Sequence, residues 1–242
     1  MGVEVSVHAP YTVDPESARL AAQRARERGG RLAIHLSESP EEYEFVSKGT
    51  GFLADIFARF AQVDWDGKGI SPVRYAESIG LLWPGTIAAH LATGVSEEDL
   101  EILARTGVAA AHCPRSNEHL GCGVSPVPEM LGRGVRVGMG TDGLWSSPSM
   151  NLFEETLFAM RLHGFDGETG LKLATLYGAR ALGIEGEVGS LEAGKWADLA
   201  VVEAVPGEAG KSSEMEVLEV AAGGGVAATA VGGELIHNRL SP

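Results

Sequence analysis

The stretch AIHLSE, residues 33–38, decides how this chain is read. It closes the apolar run RLAIHL (31–36), which reads as a strand, and a helical pattern near 40–47 follows at once. His35 therefore lies at the C-terminal end of a predicted strand, with Glu38 three residues further on. The same placement recurs along the chain. TIAAHL (86–91) carries His90 at its end, GVAAAHC (107–113) carries His112, and VRVGMGTD (135–142) ends on Asp142. His8 stands just beyond VEVSV (3–7). Chemically capable residues at the same place on five successive strands predict a site at one end of a sheet. A His, a Glu three residues on, a second His and a late Asp are the donors of a metal-assisted hydrolysis site.

The segments between these strands are helical in pattern. Asp14 is the expected N-cap, and Pro15 the first position, of a helix to Arg28. Further helical patterns lie near 51–61 and 72–79. Ser96 caps one that runs through Arg105, with Glu98 and Asp99 in its first turn. A loop and a short helix near 126–133 follow the fourth strand, then helices over roughly 151–163, 167–176 and 177–183. Strands alternating with helices imply a parallel sheet with right-handed crossovers. Short, almost continuously apolar strands suit a sheet buried on both faces. In a (β/α) barrel the reacting groups sit at the C-terminal strand ends. The expected fold class is therefore α/β, a partial TIM-type barrel with about five of the eight strands over residues 1–185.

Beyond residue 185 the pattern changes. GSLEAGKWADLAVVE (189–203), VAATAVGG (226–233) and ELIHN (234–238) read as β-structure with turns, and Gly232 and Gly233 suit a tight hairpin. Residues 205–215 are rich in Gly, Ser and Glu and read as an exposed loop. Residues 186–242 are the expected C-terminal strands of a small β-domain.

The chain carries 19 basic and 33 acidic residues, a formal charge of −14. That argues against nucleic acid or an anionic membrane as partner and suits a small neutral or cationic molecule. No apolar run is long enough to span a bilayer. No signal peptide precedes the first strand. Two cysteines, Cys113 and Cys122, make no disulfide framework, so a reducing cytoplasm is expected. Cys113 has no C-x-x-C companion and reads as a small buried hydrophobe.

HAPYT (8–12), HLSES (35–39), AAH (88–90), HCPRSN (112–117), GTDG (140–143) and GSLEAGKWADL (189–199) stand in the order found in the amidohydrolase superfamily. Together they resemble its aminohydrolases of cyclic amidines, the adenosine-type, guanine and triazine hydrolases. ESPEEYEFVSKGTGFLADIF (38–57) is similar to deaminases of the aminodeoxyfutalosine and S-adenosylhomocysteine type. The resemblance implies a (β/α)8 barrel beside a small β-sandwich, and hydrolytic deamination of an amino-substituted heterocycle, an adenine-type nucleoside first. Hydrolysis of a ring amide or chloro-triazine is the alternative.

The family draws two metal ligands from an H-x-H on its first barrel strand, and this chain has no H-x-H. It begins near the family's fourth strand, so about three βα units of roughly 30 residues are expected to be missing. A truncated product, a complement to a separate N-terminal half, and an inactive pseudoenzyme are the open readings, and the retained downstream motifs favour a fragment of an active enzyme. Residues 1–242 alone are expected to catalyse weakly or not at all. Either self-association or a missing N-terminal half is the expected protein partner.

His35 is a metal ligand or else a core histidine. Glu38 is the acid–base shuttle or else a helix-N-terminal Glu favoured by the dipole. Asp142 ligates the metal and takes a proton from water, or else belongs to a TDG turn. His90 orients the attacking water or binds the metal, and the resemblance favours the former. His8 resembles a substrate-binding histidine; a lysine in its place would have suggested a two-metal site. Asn117 and Trp145 are expected to shape the substrate pocket, with core packing the alternative for Trp145. The expected cofactor is one divalent metal, zinc, with iron as the alternative.

Overall fold

Asp14 Oδ1 accepts hydrogen bonds from the amides of Glu16 and Ser17 at 3.1 and 2.9 Å, and Pro15 opens the helix, as the cap chemistry requires. The computed structural model describes residues 4–61, 65–203 and 212–240. The chain divides into two compact units, Met1–Arg136 and Val137–Pro242.

The first unit alternates strands and helices. Its elements are β1 (Val5–Ser6), α1 (Pro15–Glu27), β2 (Leu32–Leu36), α2 (Pro40–Lys48), α3 (Phe52–Ile56), α4 (Pro72–Ser78), β3 (Thr86–His90), α5 (Glu97–Thr106), β4 (Ala109–His112), α6 (Pro114–Leu120) and α7 (Val127–Gly132). A π-helical turn, Phe57–Ala61, continues α3. The strands lie side by side in chain order, ending with β5 (Arg136–Met139). The pairs β1–β2, β2–β3 and β3–β4 are parallel, with Leu32 opposite Thr86 and His35 opposite Ala89. This sequential parallel order is that of a (β/α)-barrel wall.

One face of β2 carries buried Leu32, Ile34 and Leu36; the other carries Ala33 and His35, which are more open. The expectation of strands closed on both faces therefore holds for only one face of β2. Serine caps set the helix starts after the sheet. Ser39, Ser71 and Ser96 accept from the amides of Glu42, Arg74 and Asp99. Residues Gly49 and Gly107, both at φ 70°, end α2 and α5 in the left-handed conformation that glycine adopts without a Cβ penalty.

The second unit holds α8 (Leu152–His163), α9 (Gly167–Ala174), α10 (Leu176–Leu182) and α11 (Ser213–Ala222). Its antiparallel sheet is β6 (Leu199–Val202), β7 (Val226–Val231) and β8 (Glu234–Asn238). Helices α8, α9 and α11 pack on one another. Gly170 lets α9 approach Met160, whose Sδ would lie 2.3 Å from an added Cβ. The expected hairpin forms at Gly232 and Gly233, both with positive φ.

Two sequence expectations need correction and one is refined. The loop after β4 contains α6, a helix with Cys113 at its cap position and no side-chain cap bond, so no cap signal announced it. Strand pairing in 189–203 is confined to β6; residues before it form turns. The loop expected at 205–215 ends in α11, which Ser212 caps; residues 204–211 lie outside the described residues. Among the described residues no helix is long and apolar enough to cross a membrane.

Candidate functional site

The first unit brings His8, His35, Glu38, His90 and Asn117 together at the C-terminal ends of β1, β2 and β3. His35 is the penultimate residue of β2, and His90 the last of β3. Register alone would separate them. His35 lies opposite Ala89, so strict alternation would send His90, opposite Leu36, to the other face. Instead His90 has φ +72°, which breaks the alternation, and its ring stacks on His35 with centroids 5.3 Å apart and planes 22° apart.

Positive φ is the mark of this region. Among the described residues the non-glycine positions with positive φ are His8, Ser37, His90, Leu91 and Asp142. All five follow or end a strand, and all five are candidate site residues or neighbour one. The left-handed conformation costs a non-glycine residue roughly 1–2 kcal/mol, and such strain gathers where side chains are re-aimed for function.

Each histidine is held through Nδ1. His35 Nδ1 bonds to the carbonyl oxygen of His8 at 3.0 Å, and His90 Nδ1 to Oδ1 of Asn117 at 2.9 Å. Carbonyl oxygens only accept, so Nδ1 carries the proton in both rings. In the neutral form of either ring, Nε2 then presents a lone pair. A ring nitrogen of His35 lies within 4.8 Å of one of His90, close enough for one metal ion to engage both. Histidine nitrogens held in this tautomer fit a zinc-type ion.

Glu38 faces the same point. Its Oε1 is 3.7 Å from Nε2 of His90. His8 packs against His35 with ring centroids 5.0 Å apart, and its Nδ1 bonds to Oγ1 of Thr12 at 2.7 Å. Burial, and then the neighbouring His35, hold the His8 pKa below its ordinary value, against the opposing pull of Glu38. An aromatic wall continues from His8 through Tyr11 to Phe45, Phe57 and Trp65.

Asn117 is buried, with its amide oxygen turned to His90. His112, the last residue of β4, and Cys113 are also buried. Asp142 and Trp145 belong to the second unit. Asp142 has φ +55°, and its Oδ2 accepts from Ser146 Oγ at 2.5 Å. Trp145 is 98% exposed, which excludes core packing within this chain. The second unit also has a half-open apolar pocket of about 670 Å³ between α8, α9, α10 and β6. The one carboxylate on its lining, Asp198, accepts the amide of Gly232 and serves the hairpin turn.

The sequence reading missed Glu42. It is wholly buried in α2, and its carboxyl takes the amide of Ser37 on Oε1 at 3.1 Å and that of Glu38 on Oε2 at 2.6 Å. Burial pushes its pKa up to about 8, against the downward pull of those amides. The pattern Ser39-x-x-Glu42, a capping-box signature, was the available signal.

A curated protein of Syntrophobacter fumaroxidans named 5-methylthioadenosine/S-adenosylhomocysteine deaminase is 38% identical over 209 residues, 83% of this chain and 43% of its own length. A protein of the same name from Moorella thermoacetica is 41% identical over 204 residues, 81% of this chain and 43% of its own. The chain thus spans less than half the length of these relatives. The crystal structure of a zinc-bound adenosine deaminase from Xanthomonas campestris superposes with a TM-score of 0.80 at 27% identity, over 98% of this chain and 52% of that one. Escherichia coli guanine deaminase shares the fold, with a TM-score of 0.76 at 23% identity over 97% of this chain and 54% of that one. The model of the amidohydrolase family matches residues 1–236, and the chain belongs to that family.

Proposed function

We propose that this chain is the part of a zinc-dependent hydrolytic deaminase that carries the proton-transfer group, and that the substrate is an amino-substituted heterocycle of the adenine-nucleoside type. The observation that carries this reading is the pair of Nδ1-anchored histidines, His35 and His90, with the Glu38 carboxyl facing them. The substrate class rests on the relatives' names, 5-methylthioadenosine/S-adenosylhomocysteine deaminase and adenosine deaminase.

His35 would hold the ion through its imidazole, with Asp142 the carboxylate ligand that the GTDG motif implies, and His90 is kept for the attacking water. A bound zinc supplies Lewis acidity that favours ionisation of water near neutral pH. The rest falls to side chains. Water replaces the exocyclic amine, and both of its protons are needed: one ends on the ring nitrogen, the other leaves with ammonia. Asp142 accepts a proton from water. Glu38 carries one water proton to the ring nitrogen and relays the other, taken up by Asp142, to the departing amine. His90 orients the attacking water through Nε2, with Asn117 holding its ring. His8 and Trp145 contact the substrate.

The test is zinc content by elemental analysis, with ammonia release from 5′-thio-substituted adenosines measured on the whole gene product. Zinc bound in the wild type but not in His35→Ala, together with ammonia release, is the expected result. Chloride release from a chloro-triazine without ammonia release from any aminopurine would replace the deaminase reading with a dehalogenase one.

A further inference from the structure

Glu38 does its work from a backbone that is itself held in an uncommon shape. Ser37 has φ +49°, a conformation a serine leaves unless its surroundings impose it. Its carbonyl accepts the amides of Ala92 and Thr93, both at 2.8 Å. The carbonyl of Glu38 accepts the Thr93 hydroxyl at 3.0 Å, a proton shared with the carbonyl of Cys122. That leaves the two amides, Ser37 N–H and Glu38 N–H, and Glu42 takes one on each carboxyl oxygen.

We propose that Glu42 is a positioning residue for the deamination step: its buried carboxyl fixes the Ser37–Glu38 backbone so that the Glu38 side chain faces His90. This rests on the assignment of Glu38 as the proton carrier. Three observations carry it. First, Glu42 stands at the third position of α2, where an ordinary capping box would return to the amide of the cap residue, Ser39. Its hydrogen bonds at 3.1 and 2.6 Å go instead to the amides of the two residues before the cap, with the Ser39 amide a weaker third partner. Second, it is fully buried, and an unpaired carboxyl there would be costly, so its two amide bonds are its compensation. Third, the residue it holds by the amide presents its own carboxyl, 3.7 Å from His90. A proton carrier displaced by about 1 Å loses on the order of 100-fold in rate.

The decisive variant is Glu42→Asp. Aspartate is a competent capping residue at this helix position, as Asp99 in α5 demonstrates, so α2 keeps its start. One methylene shorter, it no longer reaches both amides. Glu42→Gln is the isosteric partner: its oxygen accepts one amide, and its NH2 meets the other donor to donor. We expect both variants to keep the wild-type zinc content. Both should show faster hydrogen exchange at the Ser37 and Glu38 amides. Turnover on the aminopurine should fall roughly 10- to 100-fold in kcat, with KM little changed.

Placed on Glu38→Gln, Glu42→Asp should add no further loss in kcat, because there is no proton carrier left to position. Unchanged amide exchange or unchanged kcat in Glu42→Asp overturns the proposal, as does an equal loss on the Glu38→Gln background. Full turnover by Glu38→Gln itself would instead remove the role proposed for Glu38, whatever Glu42 does. Should Glu42→Gln fail to fold, Glu42→Asp alone decides.

Discussion

The N-termini of α2 and α5 have the same chemistry and different uses. Each follows a strand, each is capped by a serine, and each places a fully buried carboxyl at the third helical position. In α5 the arm is short. Asp99 Oδ2 accepts the Ser96 amide at 2.9 Å and the Ser96 hydroxyl at 2.8 Å, and Oδ1 accepts the hydroxyl of Ser71, the cap of α4. Every partner serves to start a helix. In α2 the arm is one methylene longer, and it passes Ser39 to take the amides of Ser37 and Glu38. A single carbon turns a helix cap into a brace for the residue we assign to proton transfer. The same motif is thus structural in one place and tied to the site in the other, and sequence spacing alone does not separate the two.

The largest effect expected is on the α2 side. Glu38→Gln removes the proton carrier, and general acid–base groups contribute roughly 10²–10⁴-fold. Ammonia release should fall by that factor while zinc content stays at the wild-type level. A Glu38→Gln protein with near-normal kcat would reduce the α2 terminus to a cap like that of α5. The mirror experiment is Asp99→Ala. It leaves the Ser71 hydroxyl and the Ser96 amide without their buried acceptor, at about 1–3 kcal/mol. Thermal unfolding should shift down by several degrees, with kcat per folded molecule unchanged. A fall in kcat matching that of Glu42→Asp would show that any damage to a cap in this unit disturbs the site, and the comparison would lose its meaning.

What was legible beforehand follows the same division. Strands β2 and β3 and the caps at Asp14 and Ser96 were readable, because apolar runs and cap residues are local signals. The placement of His35 and His90 at strand ends is legible for the same reason. Helix α6 was not, since Pro114 follows a cysteine that makes no side-chain cap bond. Helix α11 hid behind a Gly- and Ser-rich approach, although Ser212 does cap it. The stacking of His90 on His35 depends on φ at His90, and alternation along β3 argues for the opposite face. Glu42 was overlooked because its partners are backbone amides, whose direction is set by the left-handed turn at Ser37. Periodicity reports which side chains share a face; it is silent on where a turned peptide points.

The titration of Glu42 has a smaller effect. Burial pushes the pKa of Glu42 up to about 8, with like-charged Glu38 adding to the rise. The folded protein then holds a proton that the unfolded chain releases above its ordinary value. The sign follows: this contribution to stability is fully present below about 4.5 and is lost as pH rises toward 8. One proton limits the slope to about 1.4 kcal/mol per pH unit. His8 works the other way, because a lowered imidazole pKa removes stability as pH falls below its ordinary value. Its contribution is common to wild type and Glu42→Gln, so the difference between their urea midpoints from pH 5 to 8 isolates Glu42. Parallel pH curves for the two proteins would show that the buried carboxyl stays ionised throughout, with the two amides outweighing burial.

The smallest effect discriminates most finely. Ser39→Ala and Ser96→Ala each delete a cap hydroxyl, worth about 1 kcal/mol. The hydroxyls do equivalent work, accepting the amides of Glu42 and Asp99, both at 3.2 Å. Both variants should therefore lose similar stability in thermal melts. Neither should change kcat, because the amide of Glu38 is held by the Glu42 carboxyl and not by Ser39. The alternative is that the first turn of α2 acts as one body, in which any loosening of Ser39 releases Glu38. Ser39→Ala would then lower kcat as Glu42→Asp does, while Ser96→Ala would not. That result would move the positioning role from one carboxyl to the whole helix start, and the extra methylene of Glu42 would cease to be what distinguishes α2 from α5.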